Sequence, residues 1–328
     1  MAYKTRKLTY SQAIAEGLVQ AMENDKNVFL MGEGVDNIVG VNGIVLPAFK
    51  QFGEGRVIDT PISENGLTGF AIGAAMDGLR PVLFHQRNDF MMLTMDQLVN
   101  QAAKIPYMSA GKHKVPLTIV TYVSTKAGEG GQHNQSLQAL FAHIPGLKIV
   151  MPANPIDAKG LLLSAIHDDG PVIVMYHRDF YFDEADVPRN QYKTPLGKAK
   201  VERLGTDATL VCTSATLKVA LLAAEELSRQ KIEVEVIDLR SIRPLDEKTI
   251  LTSAHKTGRL LVIDTGWLPF GISAEIVALV TEQKLRFLKT SPRRIGVVDT
   301  PAPAAPLLLV NYHPTKEMIT KTVREMLK

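Results

Sequence analysis

Short runs of apolar, often β-branched residues punctuate the chain at NVFLM (27–31), RVIDT (56–60), RPVLF (80–84), PLTIVTYV (116–123), LKIVMP (147–152) and PVIVMY (171–176). They are too uniformly apolar to alternate inward and outward, so they predict strands buried on both faces. Between them the spacing turns helical, at Tyr10–Asn24 with Ser11 placed to cap it, at Gly66–Asp77, and at Met95–Ser109. Strands alternating with helices predict an α/β fold built on a parallel sheet.

The pattern breaks at FYFDEADVPRNQYKTPLGKAK (180–200), which has two prolines, mixed charge and no period. Residues 181–200 therefore read as a linker between a domain over 1–180 and a smaller α/β domain over 201–328. The second domain holds DATLVCTS, LKVALLAAEELSRQ, VEVIDLR, RLLVIDT and a closing helix over Thr315–Leu327. Two domains suit 328 residues.

A net charge of +3, with no basic block, argues against a nucleic-acid partner. No apolar run is long enough to span a bilayer, and the first residues lack the apolar block of a secretory signal. The expectation is a cytoplasmic protein. The lone Cys212 excludes a disulfide or a cysteine-built metal site within the chain.

Glycines after strands invite a phosphate-binding reading, but neither loop carries it. After the first strand, Gly32 and Gly34 lack a third glycine, and Glu33 and Asp36 would repel a diphosphate. Gly128–Gly131 lacks the Lys-Ser/Thr of a P-loop. More informative is RVIDTPISENGLTGFAIGAAMDG, where Glu64 sits at a strand-to-helix junction and Gly66, Gly69 and Gly73 would let the helix pack closely. On spacing alone Glu64 is either a site acid or a complement to the helix dipole. HQRNDF (85–90) is either a polar site or a loop whose Asp89 or Thr94 caps the next helix, and GEGGQHNQS delivers His133 near a strand end.

Taken together, DTPISENGLTGFAIGAAMDGLRP, DQLVNQAAK, GEGGQHNQS, FAHIPGLKIVMPANPIDAKGLLLSAI, VEVIDLRSIRPLD and VIDTGWLPFGISAEI resemble, in order along the chain, the beta subunits of thiamine-diphosphate-dependent 2-oxo acid dehydrogenases. The resemblance implies a pyrimidine-binding domain of the thiamine diphosphate fold followed by a transketolase C-terminal-like domain. It implies an alpha partner that holds the diphosphate and Mg2+ in an α2β2 assembly; the alpha-type Gly-Asp-Gly…Asn-Asn signature is absent here. By motif position Glu64 is the acid that hydrogen-bonds the aminopyrimidine and promotes loss of the thiazolium proton. That role calls for a poorly solvated carboxyl, which Ile62, Leu67 and Phe70 would supply.

By the same resemblance Phe90 packs on the pyrimidine, His133 faces the substrate with Asn134 in place of the usual serine, and Glu33 belongs to a proton path. A monovalent cation, K+, would sit among Leu117, Ala165, Ile166, Asp168 and Gly170. Arg87 and Asn88 stand where relatives commonly have an aromatic residue and a small one before Asp-Phe/Tyr, and with His85 and Gln86 before them they imply a pocket for a polar or anionic group. APLLLVN (305–311) lacks an acid common in relatives, which weakens docking to a lipoyl acyltransferase core. The activity implied is 2-oxo acid decarboxylation with acyl transfer to a lipoyl arm. A lipoyl-independent ketolase or acyl transferase, and a non-catalytic structural subunit, are the alternatives.

Overall fold

The computed structural model describes residues 4–38, 40–124, 128–283 and 285–328. The chain divides into two compact units, one of residues 1–123 and 140–196, the other of residues 124–139 and 197–328.

The first unit carries strands β1 (Thr5–Thr9), β2 (Val28–Gly32), β3 (Val57–Asp59), β4 (Arg80–Phe84), β5 (Thr118–Val123), β6 (Lys148–Val150), β7 (Val172–His177) and β8 (Glu184–Pro188). Six of them form a parallel sheet in the order β6-β7-β5-β4-β2-β3. Every residue of β2, β5 and β7 is buried, as their unbroken apolar runs require. Helices Tyr10–Asn24 and Pro155–Ile166 pack on each other. Tyr10 meets Tyr176 and Phe180 edge-on, at centroid distances of 5.6 and 5.7 Å, and donates its hydroxyl to the Pro152 carbonyl at 2.9 Å.

Local chemistry corrects several expectations. The first helix is capped by Thr9, not Ser11: Thr9 and Gln12 form a capping box, because Tyr10 already belongs to the helix. The helix expected over Met95–Ser109 is broken into a π-helix at Asp96–Ala102 and a short turn at Ile105–Met108, where Pro106 cannot donate the hydrogen bond a continuous helix needs.

Residues 181–200 are not a free linker. β8 pairs antiparallel with β1, and the ammonium of fully buried Lys159 donates to the Pro188 carbonyl at 2.9 Å, the Asn190 carbonyl at 3.1 Å and Glu16 at 2.6 Å. Arg6 reaches the same Glu16, and Lys159 lies over the Tyr192 ring. A mixed-charge sequence thus becomes ordered because its backbone carbonyls satisfy a buried cation.

The second unit holds β9 (Lys200–Arg203), β10 (Ala208–Cys212), β11 (Val234–Asp238), β12 (Ser241–Arg243), β13 (Leu260–Trp267) and β14 (Arg293–Val297). Its sheet runs β14-β13-β10-β11-β9, parallel except for β9. Residues 124–139, which carry His133, belong to this unit, although the hydrophobic pattern assigns them to the first.

Candidate functional site

The carboxyl ends of β2, β3 and β4 converge in the first unit, and three acids follow from them. Glu33 comes directly after β2, Asp59 ends β3, and Glu64 is the first residue of helix Glu64–Met76. Gly32 makes the convergence possible: at φ +146 its α-carbon lies so close to β4 that a β-carbon would stand 2.6 Å from the Phe84 carbonyl oxygen. Asp59 accepts from the backbone N–H groups of Gly34 at 2.6 Å and Val35 at 3.2 Å, fastening the turn that presents Glu33. The Glu33 carboxyl is raised above the usual carboxylate range, first by burial and then by the charges of Glu64 and Asp59.

Glu64 is held from below rather than by a cap. Ser63 makes no capping hydrogen bond. Instead Thr68 donates its hydroxyl to the Glu64 carbonyl at 2.8 Å, which spends its single hydrogen, so the 3.0 Å contact with His85 is donated by His85 Nε2. His85 is buried, and burial lowers its pKa from 6.5 to about 4. It is a neutral strut under the Glu64 turn, and only the geometry reveals that role.

The apolar neighbours expected to desolvate Glu64 do not all do so. Ile62 is 78% and Phe70 60% exposed, because they project from the outer side of the turn and helix, and Glu64 is half-buried. Of the three glycines expected to permit close packing, a β-carbon on Gly66 would meet Ser63 Oγ at 3.0 Å and one on Gly69 would meet Gln97 at 4.0 Å, whereas one on Gly73 would meet nothing within 4 Å, so that part of the helix face is open among the described residues.

Phe90, half-buried, opens the 3-10 turn Phe90–Thr94, which packs against the Glu64 helix. The polar segment before it is mostly used internally. Asn88 is buried and donates to the Tyr122 carbonyl at 3.2 Å, and His85 supports Thr68. Gln86 is exposed, with its amide 3.5 Å from the Glu33 carbonyl, and Arg87 is half-buried.

His133 lies in the second unit, half-buried, on a loop closed by its own N–H donating to the Gly130 carbonyl at 3.3 Å. With its amide oriented to satisfy both neighbours, buried Asn134 accepts from Glu129 N–H at 3.0 Å and donates to the His133 carbonyl at 3.1 Å. A serine hydroxyl is too short to span both groups, so Asn134 stiffens the loop in its own way.

Of the five residues named for a cation, Ala165, Ile166, Asp168 and Gly170 share one turn, and Leu117 stands on the neighbouring strand segment, where its carbonyl accepts from Val172 N–H at 2.9 Å. The Ile166 and Asp168 carbonyls both accept from Arg80 Nη1, at 3.1 and 2.9 Å, and the Asp168 carboxylate takes Lys148 Nζ at 2.7 and 2.6 Å. Gly170 N–H donates to Asp168 at 2.8 Å, and the Leu117 and Ala165 carbonyls accept backbone N–H groups. Carbonyl oxygens with one carboxylate are a donor set that suits a monovalent ion, but Arg80 and Lys148 already deliver the positive charge such an ion would supply.

For an organic cofactor with an aminopyrimidine ring the residues fit: an acid at a strand-to-helix junction, an aromatic ring on the adjoining turn, and a second acid able to keep a proton. Asp59, Thr68 and His85 are the contributors that sequence patterning did not single out as a group; the aspartate ending a strand just before Glu64 was the available signal.

Comparison with known proteins identifies residues 6–182 with the transketolase pyrimidine-binding domain and residues 197–319 with the transketolase C-terminal domain. The beta subunit of acetoin:2,6-dichlorophenolindophenol oxidoreductase from Bacillus subtilis is 42% identical over 98% of both chains. The mitochondrial pyruvate dehydrogenase E1 component subunit beta from Rattus norvegicus is 40% identical over 98% of this chain and 91% of its own. A solved structure described as split gene transketolase, inactive beta4 tetramer, superposes with a TM-score of 0.80 over 98% of both chains at 20% identity, which speaks to fold alone. Two transketolase-type domains in this order, with full-length relatives at this identity, place the chain in the transketolase-like family of E1 beta subunits, which work with an alpha subunit.

Proposed function

We propose that this chain is the beta subunit of an α2β2 enzyme that decarboxylates a 2-oxo acid with thiamine diphosphate and passes the acyl group to a lipoyl carrier. The observation that carries the reading is the junction where Glu33 and Glu64 come together at the carboxyl ends of parallel strands, with the turn that Phe90 opens packed on the Glu64 helix. The bound cofactor supplies the carbanion chemistry that cleaves the bond beside the carbonyl. Glu64 holds a proton at the pyrimidine ring and sets its tautomer. Phe90 fixes the ring plane by packing on it. Glu33, which keeps its proton to higher pH than an ordinary carboxylate, serves as a reservoir on the proton path.

His133 donates a proton or hydrogen bond to oxygen as charge develops there. Gln86 and Arg87 meet the substrate's polar end. The alpha subunit holds Mg2+ and the diphosphate, and its surface covers the open side of the Glu64 helix, completing the desolvation this chain leaves unfinished. Potassium at the Asp168 turn would only add to the charge that Arg80 and Lys148 bring there, and has no part in the chemistry. The reading places the assembly in the cytoplasm; no helix of the described residues is long and apolar enough to cross a membrane.

The test is Glu64→Gln in the chain co-purified with its alpha subunit. The variant should assemble and bind thiamine diphosphate but lose exchange of the thiazolium proton, followed by NMR; rapid exchange refutes the assignment.

A second reading, lipoyl-independent transfer of the fragment to a carbonyl or amine acceptor, is favoured by Arg87 and by the relative named for acetoin. Product formation from an added carbonyl acceptor, with no lipoyl domain present, selects it. Cofactor binding without turnover of any 2-oxo acid or ketose would select a structural subunit.

A further inference from the structure

The loop that carries His133 is anchored by a buried polar frame whose members all belong to the second unit. Ser136 Oγ donates to Gln138 Oε1 at 2.6 Å and lies 2.9 Å from Thr265 Oγ1. Since its one hydrogen goes to Gln138, Thr265 is the donor in the second contact. Gln138 Nε2 then donates to Asp264 Oδ1 at 2.8 Å. The same oxygen accepts from Thr213 Oγ1 at 3.2 Å and Gly266 N–H at 3.2 Å. Gln138 and Asp264 are fully buried.

Gly266 seals the arrangement, because a β-carbon there would come within 2.9 Å of Gln138 Nε2. A buried carboxyl facing an amide is expensive where leucine and methionine would pack, and burial raises the Asp264 pKa against the opposing hydrogen bonds from Gly266, Gln138 and Thr213. What the pair provides that apolar residues cannot is direction: each hydrogen bond is satisfied in one arrangement of the loop. Asn134 closes the other end by bridging Glu129 N–H and the His133 carbonyl.

Resting on the reading of His133 as a proton donor, we propose that Gln138 and Asp264 are positioning residues that fix the His133 loop from beneath. Neither touches the reacting atoms. Their effect passes through the loop backbone to the imidazole.

The test has two arms. In the full-length chain, Gln138→Leu should speed amide hydrogen exchange across residues 128–139 by about tenfold while β10 and β13 are unchanged. Unchanged exchange in Gln138→Leu overturns the proposal.

In the complex with the alpha subunit, turnover is read with pyruvate, 2-oxoisovalerate and acetoin as donors and dichlorophenolindophenol as electron acceptor. Gln138→Leu should lower kcat by about 30-fold with KM little changed, the scale expected when a reacting group is misplaced by about an ångström. In a His133→Ala background the same substitution should cost nothing further. A full additional loss there means that Gln138 acts as general scaffolding and overturns the proposal. If His133→Ala alone leaves turnover intact, the role assigned to His133 fails, and the exchange arm still decides whether the frame orders the loop.

Discussion

The neutral strut beneath Glu64 makes the first unit sensitive to acid in a way that can be calculated. His85 is buried with a pKa of about 4 against an ordinary 6.5, so between these values the unfolded chain holds a proton that the folded chain has released. Stability is therefore fully present above pH 6.5 and falls as pH drops through the window. From pH 6.5 to 5 is about one and a half decades at ~1.4 kcal/mol each, or about 2 kcal/mol lost from this residue alone. His85→Phe cannot take up the proton. At pH 7 it should cost about 1 kcal/mol for the missing hydrogen bond to Thr68, whose own donation to the Glu64 carbonyl survives.

The two proteins should therefore exchange rank on acidification, the variant becoming the more stable near pH 5. Urea denaturation at pH 7 and 5, followed by far-ultraviolet circular dichroism, measures both effects, and other titrating groups cancel in the difference. Equal losses in wild type and variant between these two pH values would refute a buried neutral imidazole.

Asp59→Asn keeps an oxygen for Gly34 and Val35 but removes a charge near Glu33, so the Glu33 carboxyl should titrate at lower pH, read by carbon-13 NMR; no downward movement contradicts the three-acid cluster. Lys159→Met strands two backbone carbonyls, should cost ~3 kcal/mol, and should free β8 from β1, seen as faster hydrogen exchange over residues 184–188; retained protection there means the lysine does not hold the segment. Arg80→Met removes the cation from the Ile166 and Asp168 carbonyls, and its melting temperature should then rise with KCl over tetramethylammonium chloride more than that of wild type; an equal response shows that Arg80 does not supply the turn's charge.

The parallel sheet was legible because strands buried on both faces leave unbroken apolar runs, and Arg80–Phe84 could be bounded to the residue. Glu64 was legible as the end of one such run meeting a glycine-rich helix. What escaped notice depends on partners remote in sequence. Nothing near Gln138 announces Asp264, 126 positions away. The order of residues 184–192 comes from Lys159, a charge that composition would place on the surface. The polarity of His85 and Asn88, read as facing a substrate, is directed into the fold, because a hydrogen-bonding partner such as Thr68 or the Tyr122 carbonyl cannot be seen from one segment.

The division of the chain has a consequence for how it can be dissected. Because residues 124–139 are grouped with residues 197–328, cutting after residue 196 would strand the histidine loop on the fragment that lacks Asp264 and Thr265. The C-terminal piece would keep an empty seat, and the N-terminal piece a tether with nothing to grip. Reassembly of two such fragments would have to begin by threading that loop home.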